Sequence, residues 1–439
     1  MRERLRRRPG ASKLVHSLSG FVLMSRAAIP TLITIAVCLG LACETKPAAP
    51  ESRAPEPSVP ATTDQPRAEA RAGPVHLAVD GTGFRRGSAP FDWRGISAFQ
   101  LLEQIAHGRE GEAIAYLDWA SARKITIVRV LAMAKHLFQL SPADGLKVLP
   151  RLLTLAAERG LFVEIVALAD TADTSLDLAH QVTAIAVMAA AHPNAIVEIA
   201  NEPWHPTQDP RLHDPAFVKV LADLVPAQVP VALGSIEGAE GYAAAGRYAT
   251  WHSPRSNAAD GWGHVVDLAG GAALVTRWSK PVISDEPVGA ADTLVPGRRD
   301  NEPARFAAAG ALTRIAGLGA TFHYEGGLQA RIPAGKEVEC FEAWSKGLDA
   351  VASMPAGGRF LVSADLTSIA DVTGSRAVFG RLYDKELWVV FVDPGDVKIE
   401  WKAPWREGSR VALAGVVVVR GVRDLRPNPE PAKPPGPPT

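Results

Sequence analysis

The sequence predicts an α/β protein built as a (β/α)8 (TIM) barrel with a small C-terminal antiparallel β domain. Between Phe91 and Met354, eight short apolar runs rich in β-branched residues alternate with longer helical patterns. Runs such as IVRVL and FVEIVAL are apolar throughout, as expected for parallel strands buried on both faces. No glycine-rich phosphate-binding turn follows the first strand, which disfavours the alternative, a doubly wound open sheet. Eight consecutive strand–helix units therefore favour a closed barrel.

Each unit of the predicted barrel has a strand followed by a helix. The predicted strands are Trp93–Ala98, Ile125–Leu131, Phe162–Leu168, Ile196–Asn201, Pro230–Leu233, Tyr248–His252, Val282–Asp285 and Ala320–Tyr324. The predicted helices are Glu112–Arg123, Gly145–Glu158, Leu176–Ala191, Pro215–Val225, Glu237–Ala245, Gly263–Ser279, Pro303–Gly317 and Phe341–Met354. The fifth unit has the weakest pattern, because its strand is short and its helix is rich in alanine and glycine.

After Met354 the pattern changes to short runs rich in valine, phenylalanine and tryptophan, separated by turn signals. Asp393-Pro394-Gly395 is expected to form one of these turns. A small sheet has edges that need cover, so we expect it to pack on the flank of the barrel and not to fold alone. The predicted strands are Arg376–Tyr383, Glu386–Asp393, Asp396–Trp401, Arg410–Leu413 and Val416–Arg420.

The chain divides into five predicted segments. The export segment is 1–43, the barrel is 75–355 and the β domain is 356–425. Between and after them, a Pro/Ala-rich linker at 44–74 and a proline-rich tail at 426–439 are expected to be disordered. Such compositions bury too little apolar area to offset the entropy of ordering the chain.

The first 43 residues have the pattern of an export signal. Basic residues precede an apolar run from Ala27 to Cys43, which is too short for a comfortable membrane span. Leu41-Ala42-Cys43 resembles a bacterial lipobox, whose cysteine becomes the lipidated first residue of the mature protein. The resemblance implies a lipoprotein anchored to the membrane through Cys43. Plain secretion and an uncleaved anchor are the alternatives.

The composition is that of a globular enzyme or binding protein. Lys+Arg and Asp+Glu both number 47, so the net charge is zero, which disfavours a nucleic-acid partner. Three cysteines are too few for a disulfide scaffold or a cysteine-built zinc site.

Because His205, His252 and His323 lack metal-ligand spacing, no metal is predicted. No organic cofactor is implied either, no Gly-x-Ser-x-Gly elbow supports an esterase, and the oligomeric state is left open.

Polar residues at the carboxyl ends of the barrel strands are the candidates for an active site. The fourth strand ends in Asn201-Glu202-Pro203 and the seventh in Asp285-Glu286-Pro287. Glu202 and Glu286 would face each other across the barrel mouth, an arrangement that suits glycosidic-bond cleavage. Asp285 is expected to point away from this pair by strand alternation. A second Asn-Glu-Pro, at 301–303, lacks a preceding strand and is typical of a helix start.

Other residues near the strand ends are candidate substrate contacts. Arg129 is expected either to keep a nucleophile ionised or to neutralise Glu164 or Glu198 inside the barrel. Asn201 is placed to hydrogen-bond a sugar hydroxyl beside the reacting centre. The remaining candidates for the sugar pocket, some of which could equally be packing residues, are His252, His323, Tyr324, Trp204, Trp251 and Trp262.

These residues make the chain similar to clan A glycoside hydrolases, the cellulase- and mannanase-like (β/α)8 retaining enzymes. In that group the Asn-Glu-Pro ending strand four carries the acid/base, and a glutamate ending strand seven is the nucleophile. The resemblance covers about Val75 to Met354 and includes Gly83-Phe84 and Phe91-Asp92-Trp93-Arg94-Gly95 in the lead-in. It implies that Glu202 is the acid/base and Glu286 the nucleophile, with Asn201 and Arg129 beside them.

The resemblance implies a retaining glycoside hydrolase that cleaves a β-linked oligo- or polysaccharide by a two-glutamate double displacement. The sequence departs from the group on strand six, where His-x-Tyr is common but His252 is followed by Ser253-Pro254. On strand eight, Tyr324 stands nearest to the usual tryptophan. A non-catalytic carbohydrate-binding surface lipoprotein and a scaffold whose β domain binds a partner are the alternatives. The sequence leaves open the polysaccharide and the choice between endo and exo action.

Overall fold

The computed structural model describes residues 75–172, 175–236, 240–254, 261–287 and 300–424. The predicted export segment with Cys43, the linker at 44–74 and the tail at 426–439 lie outside these residues. Within the described ranges, no helix has the length and apolar character needed to cross a membrane.

A three-stranded antiparallel sheet precedes the barrel and covers its amino-terminal end. Its strands, which the sequence did not predict, are β1 (Leu77–Asp80), β2 (Gly83–Arg86) and β3 (Ala89–Phe91). The Phe84 ring lies 5.2 Å from that of Trp93 and 5.7 Å from that of Tyr248, both at the bottom of the barrel. The lead-in sheet therefore closes the end opposite the predicted active site.

An eight-stranded parallel sheet forms the barrel and confirms the predicted fold class. Its strands are β4 (Arg94–Ser97), β5 (Ile127–Leu131), β6 (Phe162–Leu168), β7 (Ala195–Ala200), β8 (Val231–Ala232), β9 (Ala249–Trp251), β10 (Val282–Ser284) and β11 (Gly319–Phe322). They pair in the order β8-β7-β6-β5-β4-β11-β10-β9. A parallel bridge between Ser235 and Thr250 joins the segment after β8 to β9 and completes the ring. Every strand begins and ends within two residues of its predicted bounds.

The helices surround the barrel and mostly follow the predicted pattern. They are α1 (Leu101–Ala106), α2 (Glu110–Ala122), α3 (Lys135–Phe138), α4 (Pro142–Glu158), α5 (Leu178–Ala191), α6 (Pro215–Ala222), α7 (Gly241–Ala244), α8 (Trp262–Asp267), α9 (Gly271–Trp278), α10 (Pro303–Ala316), α11 (Glu325–Leu328), α12 (Lys336–Ala350) and α13 (Ser363–Leu366). The predicted helix Gly263–Ser279 is divided into α8 and α9 by a 3₁₀ turn at Leu268–Gly270. The second Asn-Glu-Pro does begin a helix, since Pro303 is the first residue of α10.

The C-terminal β domain is one five-stranded antiparallel sheet in the order β12-β13-β14-β16-β15. The turn predicted at Asp393-Pro394-Gly395 is wrong, because β14 runs through it. Asp393 has a positive φ of 50° and the pairing with β13 shifts register nearby, so the chain bends as a bulge and the strand continues. The strands are β12 (Arg359–Val362), β13 (Ala370–Leu382), β14 (Glu386–Trp401), β15 (Trp405–Leu413) and β16 (Val416–Arg423).

One face of this sheet packs on the barrel through α10. The shared apolar cluster contains, from the helix, Ala308, Ala311, Leu312 and Ile315 and, from the sheet, Trp388, Val390, Val392, Val416 and Val418. The sheet therefore packs on the flank of the barrel, as expected from the sequence. Because α10 connects β10 to β11, the sheet packs on the side of the barrel that carries Glu286.

Two glycines allow α10 and α12 to pack closely behind this cluster. A Cβ atom on Gly347 would lie 2.0 Å from the carbonyl oxygen of Ala307, and one on Gly310 would lie 2.3 Å from that of Trp344. Both neighbours are backbone atoms of the facing helix and have no rotamer through which to move away. The approach of the two helices therefore depends on glycine at both positions.

We expect Gly347→Ala to lower the free energy of unfolding by about 1–3 kcal/mol, the usual range for overpacking a tight contact. Urea denaturation followed by circular dichroism measures the change. Gly111→Ala on α2 is the matched control, because a Cβ there meets no atom within 4 Å. It should leave stability unchanged or raise it by up to about 1 kcal/mol. Equal stability of the two variants would contradict the close contact.

Candidate active site

The guanidinium group of Arg129, on β5, lies inside the barrel among acidic side chains and is buried. Its Nη1 donates a 2.5 Å hydrogen bond to Oε1 of Glu286, and its Nη2 donates a 2.8 Å bond to Oδ1 of Asn201. Its Nε donates to Oε2 of Glu198 at 3.0 Å. Arg129 thus contacts both the candidate nucleophile and an interior glutamate, so the two alternatives left open by the sequence are not exclusive.

Two further carboxyl groups face the same guanidinium. Oδ2 of Asp285 lies 3.4 Å from its Nη2, and Oε2 of Glu164 lies 3.9 Å from its Nε. Four buried acids, counting Glu198 and Glu286, therefore share this one arginine. A planar guanidinium offers five N–H donors in a fixed fork, which allows it to serve several carboxylates at once.

The two deepest acids titrate far from their ordinary range. Burial raises the pKa of Glu198 to about 7, against the opposing charge of Arg129. Burial and then the neighbouring Glu198 raise the pKa of Glu164 well above 4.5. Each accepts a hydroxyl hydrogen bond, Glu164 from Tyr248 at 2.9 Å and Glu198 from Thr250 at 2.8 Å. The interior holds some of its carboxyl groups in the neutral form because there are too few cations for all of them.

Glu202 lies on a strained turn directly after β7. Its φ is +42°, in the left-handed region that a residue with a side chain seldom adopts. The turn is fixed on both sides, by the N–H of Asn201 bonding to Leu168 and by the carbonyl of Glu202 accepting from His205. Gly234, after β8, approaches the turn so closely that no side chain fits there. Strain supported in this way is typical of functional positions.

His252 lies between the two candidate glutamates. Its Nδ1 is 3.2 Å from Oε1 of Glu202, and its Nε2 is 3.6 Å from Oε1 of Glu286 and from Oδ2 of Asp285. Burial by itself would lower the pKa of His252, but the charges of Glu286 and Asp285 and the bond to Glu202 outweigh it. The pKa is raised well above 6.5, so the imidazole carries a positive charge at neutral pH.

The two candidate carboxyl groups are close together. One oxygen of Glu202, one oxygen of Glu286 and a ring nitrogen of His252 all lie within 4.8 Å of one another. Side chains at this spacing could hold a metal ion, but Arg129 already bonds Oε1 of Glu286, and an ion would meet that positive charge. The environments also differ, since the side chain of Glu202 is 27% exposed and that of Glu286 only 10%.

The expected orientation of Asp285 is wrong. Its carboxyl group points into the barrel, where Oδ2 faces Arg129 and His252. Its Oδ1 accepts a 3.2 Å hydrogen bond from the N–H of Glu286. Strand alternation does not predict this position because β10 ends at Ser284 and the chain leaves the pleated geometry there.

Two aromatic candidates for substrate contact lie elsewhere. Tyr324 is fully buried, and its hydroxyl donates to the carbonyl of Arg331 at 2.5 Å and lies 3.1 Å from the hydroxyl of Tyr116. Trp251 is buried and packs against Gly271 at the start of α9. Both point outward into the layer between strands and helices, because neighbouring residues on a strand face opposite sides.

The other candidates lie nearer to the mouth. His323 is buried, and its Nδ1 lies 2.8 Å from Oγ of Ser97 on β4. Trp204 is half-buried beside the Glu202 turn and packs on the barrel core. Trp262, on α8, packs on the cluster under the C-terminal sheet. Sugar contacts by His323 and Trp204 stay predictions.

Sequence reasoning missed several residues that shape the site. The ring centre of Phe99 lies 5.4 Å from the guanidinium carbon of Arg129, and Phe99 belongs to an apolar cluster after β4, β5 and β6. Thr250 and Tyr248 support the interior glutamates. Asp170 caps the backbone of the α3 segment through the N–H groups of residues 136 and 137. Their positions within strands or next to a strand end were the available signal, but no motif marks them.

The fold has counterparts among solved structures. A glycoside hydrolase family 5 structure from Bacteroides vulgatus is 12% identical, over 79% of this chain and 93% of that one, with a TM-score of 0.51. A putative glycoside hydrolase from the same organism is 13% identical, over 81% of each chain, with a TM-score of 0.52. At these identities the likeness shows the fold, in agreement with the architecture expected from the sequence. No protein-family model matches the chain, and no curated protein matches it.

The raised pKa of Glu198 predicts a specific dependence of stability on pH. The folded protein holds this proton up to about pH 7, whereas the unfolded chain releases it near 4.5. The free energy of unfolding should therefore fall as the pH rises from 4.5 to about 7. Glu198→Gln removes this titration and should flatten that part of the profile, measured by urea denaturation at a series of pH values. Glu342→Gln, at an exposed position on α12, should keep the wild-type slope; equal slopes in all three proteins would refute the assignment.

Proposed function

We propose that the chain is a retaining glycoside hydrolase that cleaves β-linked oligo- or polysaccharide, with Glu202 as acid/base and Glu286 as nucleophile. The observation that carries the proposal is the spacing of these carboxyl groups, within 4.8 Å between one oxygen of each. Retaining enzymes hold their two carboxyl groups about 5–5.5 Å apart, whereas inverting enzymes leave about 6.5–9.5 Å for a water. The two similar structures are named glycoside hydrolases, which supports the class of reaction.

In the first step, an oxygen of Glu286 attacks the anomeric carbon while Glu202 protonates the leaving oxygen. Arg129 favours the ionised form of Glu286 through its 2.5 Å hydrogen bond to Oε1. Glu202 is the more exposed of the two, which suits a group that meets first the leaving oxygen and then water. In the second step, Glu202 takes a proton from water, which attacks the anomeric carbon and frees Glu286 with net retention.

His252 and Asn201 complete the arrangement. The imidazole of His252 lies between the glutamates and balances the charge of Glu286 in the resting enzyme. Oδ1 of Asn201 accepts from Arg129, which orients its amide so that Nδ2 is the group that can donate to a sugar hydroxyl. A hydroxyl bond that strengthens as the oxocarbenium ion develops would stabilise the transition state.

Release of reducing sugar from β-glucans, β-mannans, xylans and β-galactans tests the proposal and names the substrate class. We expect the wild type to hydrolyse at least one polymer, and Glu202→Gln and Glu286→Gln each to lose at least about 10²-fold in rate. Glu302→Gln is the matched control, because it alters the second Asn-Glu-Pro, which only begins α10. A well-folded wild type that is silent on every polymer would count against the enzyme and favour a carbohydrate-binding protein.

Azide separates the two roles. With Glu202→Ala and an aryl glycoside that needs no acid, the glycosyl-enzyme still forms, and azide should release it as a product of retained configuration. With Glu286→Ala no intermediate forms, so azide attacks the sugar directly and should give the inverted product. An inverted product from Glu202→Ala and a retained product from Glu286→Ala would show that the two assignments are exchanged.

We also infer that the protein is exported and held at a membrane by lipid on Cys43. The support is the Leu41-Ala42-Cys43 motif after a short apolar run. Growth with radiolabelled palmitate should label the wild type and not Cys43→Ser. Equal labelling of both proteins, or of neither, would contradict lipidation at Cys43.

A further inference from the structure

The carboxyl group of Asp285 has no step in the two-glutamate reaction, yet it lies in the middle of the site. It is fully buried, and its Oδ1 accepts from the N–H of Glu286. Its Oδ2 lies 3.4 Å from Nη2 of Arg129 and 3.6 Å from Nε2 of His252. It is therefore the acid that faces both positively charged side chains of the site and bonds the backbone of the nucleophile.

We propose that Asp285 is a positioning residue that holds Arg129 and His252 in the orientation in which they contact Glu286 and Glu202. Its expected effect on the rate rests on the proposed function, whereas its effect on the two cations does not. The geometry has three parts: a backbone bond that fixes Asp285 next to Glu286, and one contact to each cation.

The contact with His252 places a second carboxyl group beside the imidazolium ring. The Nδ1 side of the ring faces Glu202, and the Nε2 side faces Glu286 and Asp285 at equal distances of 3.6 Å. Oε1 of Glu286 already accepts from Arg129. Asp285 places a second carboxyl oxygen 3.6 Å from Nε2, so the nucleophile is not the only group that balances the charge of the ring on this side.

The charged groups around His252 come from three strands, β5, β6 and β7, and from the segments directly after β7 and β10. Three carboxyl groups lie within 3.6 Å of its ring nitrogens, and Arg129 on β5 opposes them as a like charge. Glu198 on β7 interacts electrostatically with the ring, and Glu164 on β6 interacts in turn with Glu198. Removing the charge of Asp285 should therefore lower the pKa of His252 while the other acids stay in place.

Stability does not explain the presence of this carboxylate. Asp285 lies in a space that holds three other buried acids and one arginine, where each added negative charge is costly. An amide of the same shape would keep the acceptor for the N–H of Glu286 and remove the charge. A residue retained for folding should lower stability when it is changed to asparagine, whereas a positioning residue should lower only function.

Asp285→Asn, made in the full chain, tests the proposal through two readouts. The first is the titration of His252 by NMR of ¹³C/¹⁵N-histidine-labelled protein, with the resonance assigned from His252→Gln. We expect the pKa of His252 to fall and the thermal midpoint to stay equal or rise. The second is hydrolysis of the polymer that the wild type cleaves, where kcat should fall about 10²-fold with little change in KM. Asp285→Glu restores the charge and should keep the pKa of His252 raised.

Asp300→Asn is the matched control. Asp300 is also buried and has the same kinds of neighbour, since its carboxyl group bonds Arg305 at 2.6 Å, faces His264 at 3.7 Å and accepts from the N–H of Glu302. These residues lie on α8 and at the start of α10, in the helical layer. The substitution should leave the titration of His252 and the rate of hydrolysis unchanged.

An unchanged His252 titration in Asp285→Asn would overturn the proposal, and so would a loss of activity that only follows a lower thermal midpoint. A lowered pKa of His252 in a chain whose wild type cleaves none of the polymers would uphold the positioning role. That result would contradict the proposed hydrolase and leave the role of Asp285 intact. The two proposals therefore fail on different measurements.

Discussion

The rest of the site depends on one arginine placed among four buried acids. A buried carboxylate without a partner costs several kcal/mol, and the interior contains Glu164, Glu198, Asp285 and Glu286. Arg129 meets part of this cost through its fork of donors, and retained protons on Glu164 and Glu198 meet another part. The charge around Glu286 is thus balanced by the whole interior and not by one ion pair.

The barrel makes this arrangement possible by bringing distant parts of the chain to one place. Arg129 lies within β5, whereas Glu202, His252 and Glu286 each follow a different strand, and neighbouring parallel strands fix their spacing. The turn that carries Glu202 is strained but is tied to the adjacent strand and to its own next residues. The strain is supported by neighbours that do not take part in the reaction, as expected for a preorganised site.

The sequence predicted the strands well because buried parallel strands are apolar throughout and differ sharply from the helices between them. For the same reason, the sequence did not show which side chains point into the barrel and which point toward the helices. An apolar run on both faces gives no alternation, so Trp251 and Tyr324 could not be assigned to the outer layer. Asp285 was misplaced for another reason, since the strand ends one residue before it. Its contacts with Arg129 and His252 come from other strands and leave no local pattern around Asp285.

The stereochemistry of the first sugar released tests the assignment of Glu202 and Glu286 most directly. Proton NMR of the anomeric region, recorded during hydrolysis and before mutarotation, distinguishes the two anomers of the new reducing end. The closeness of the two carboxyl groups, with one oxygen of each within 4.8 Å, predicts that the β anomer appears first and that the α anomer follows only as the sugar equilibrates. Initial release of the α anomer would mean that water attacks directly, and would contradict Glu286 as the nucleophile.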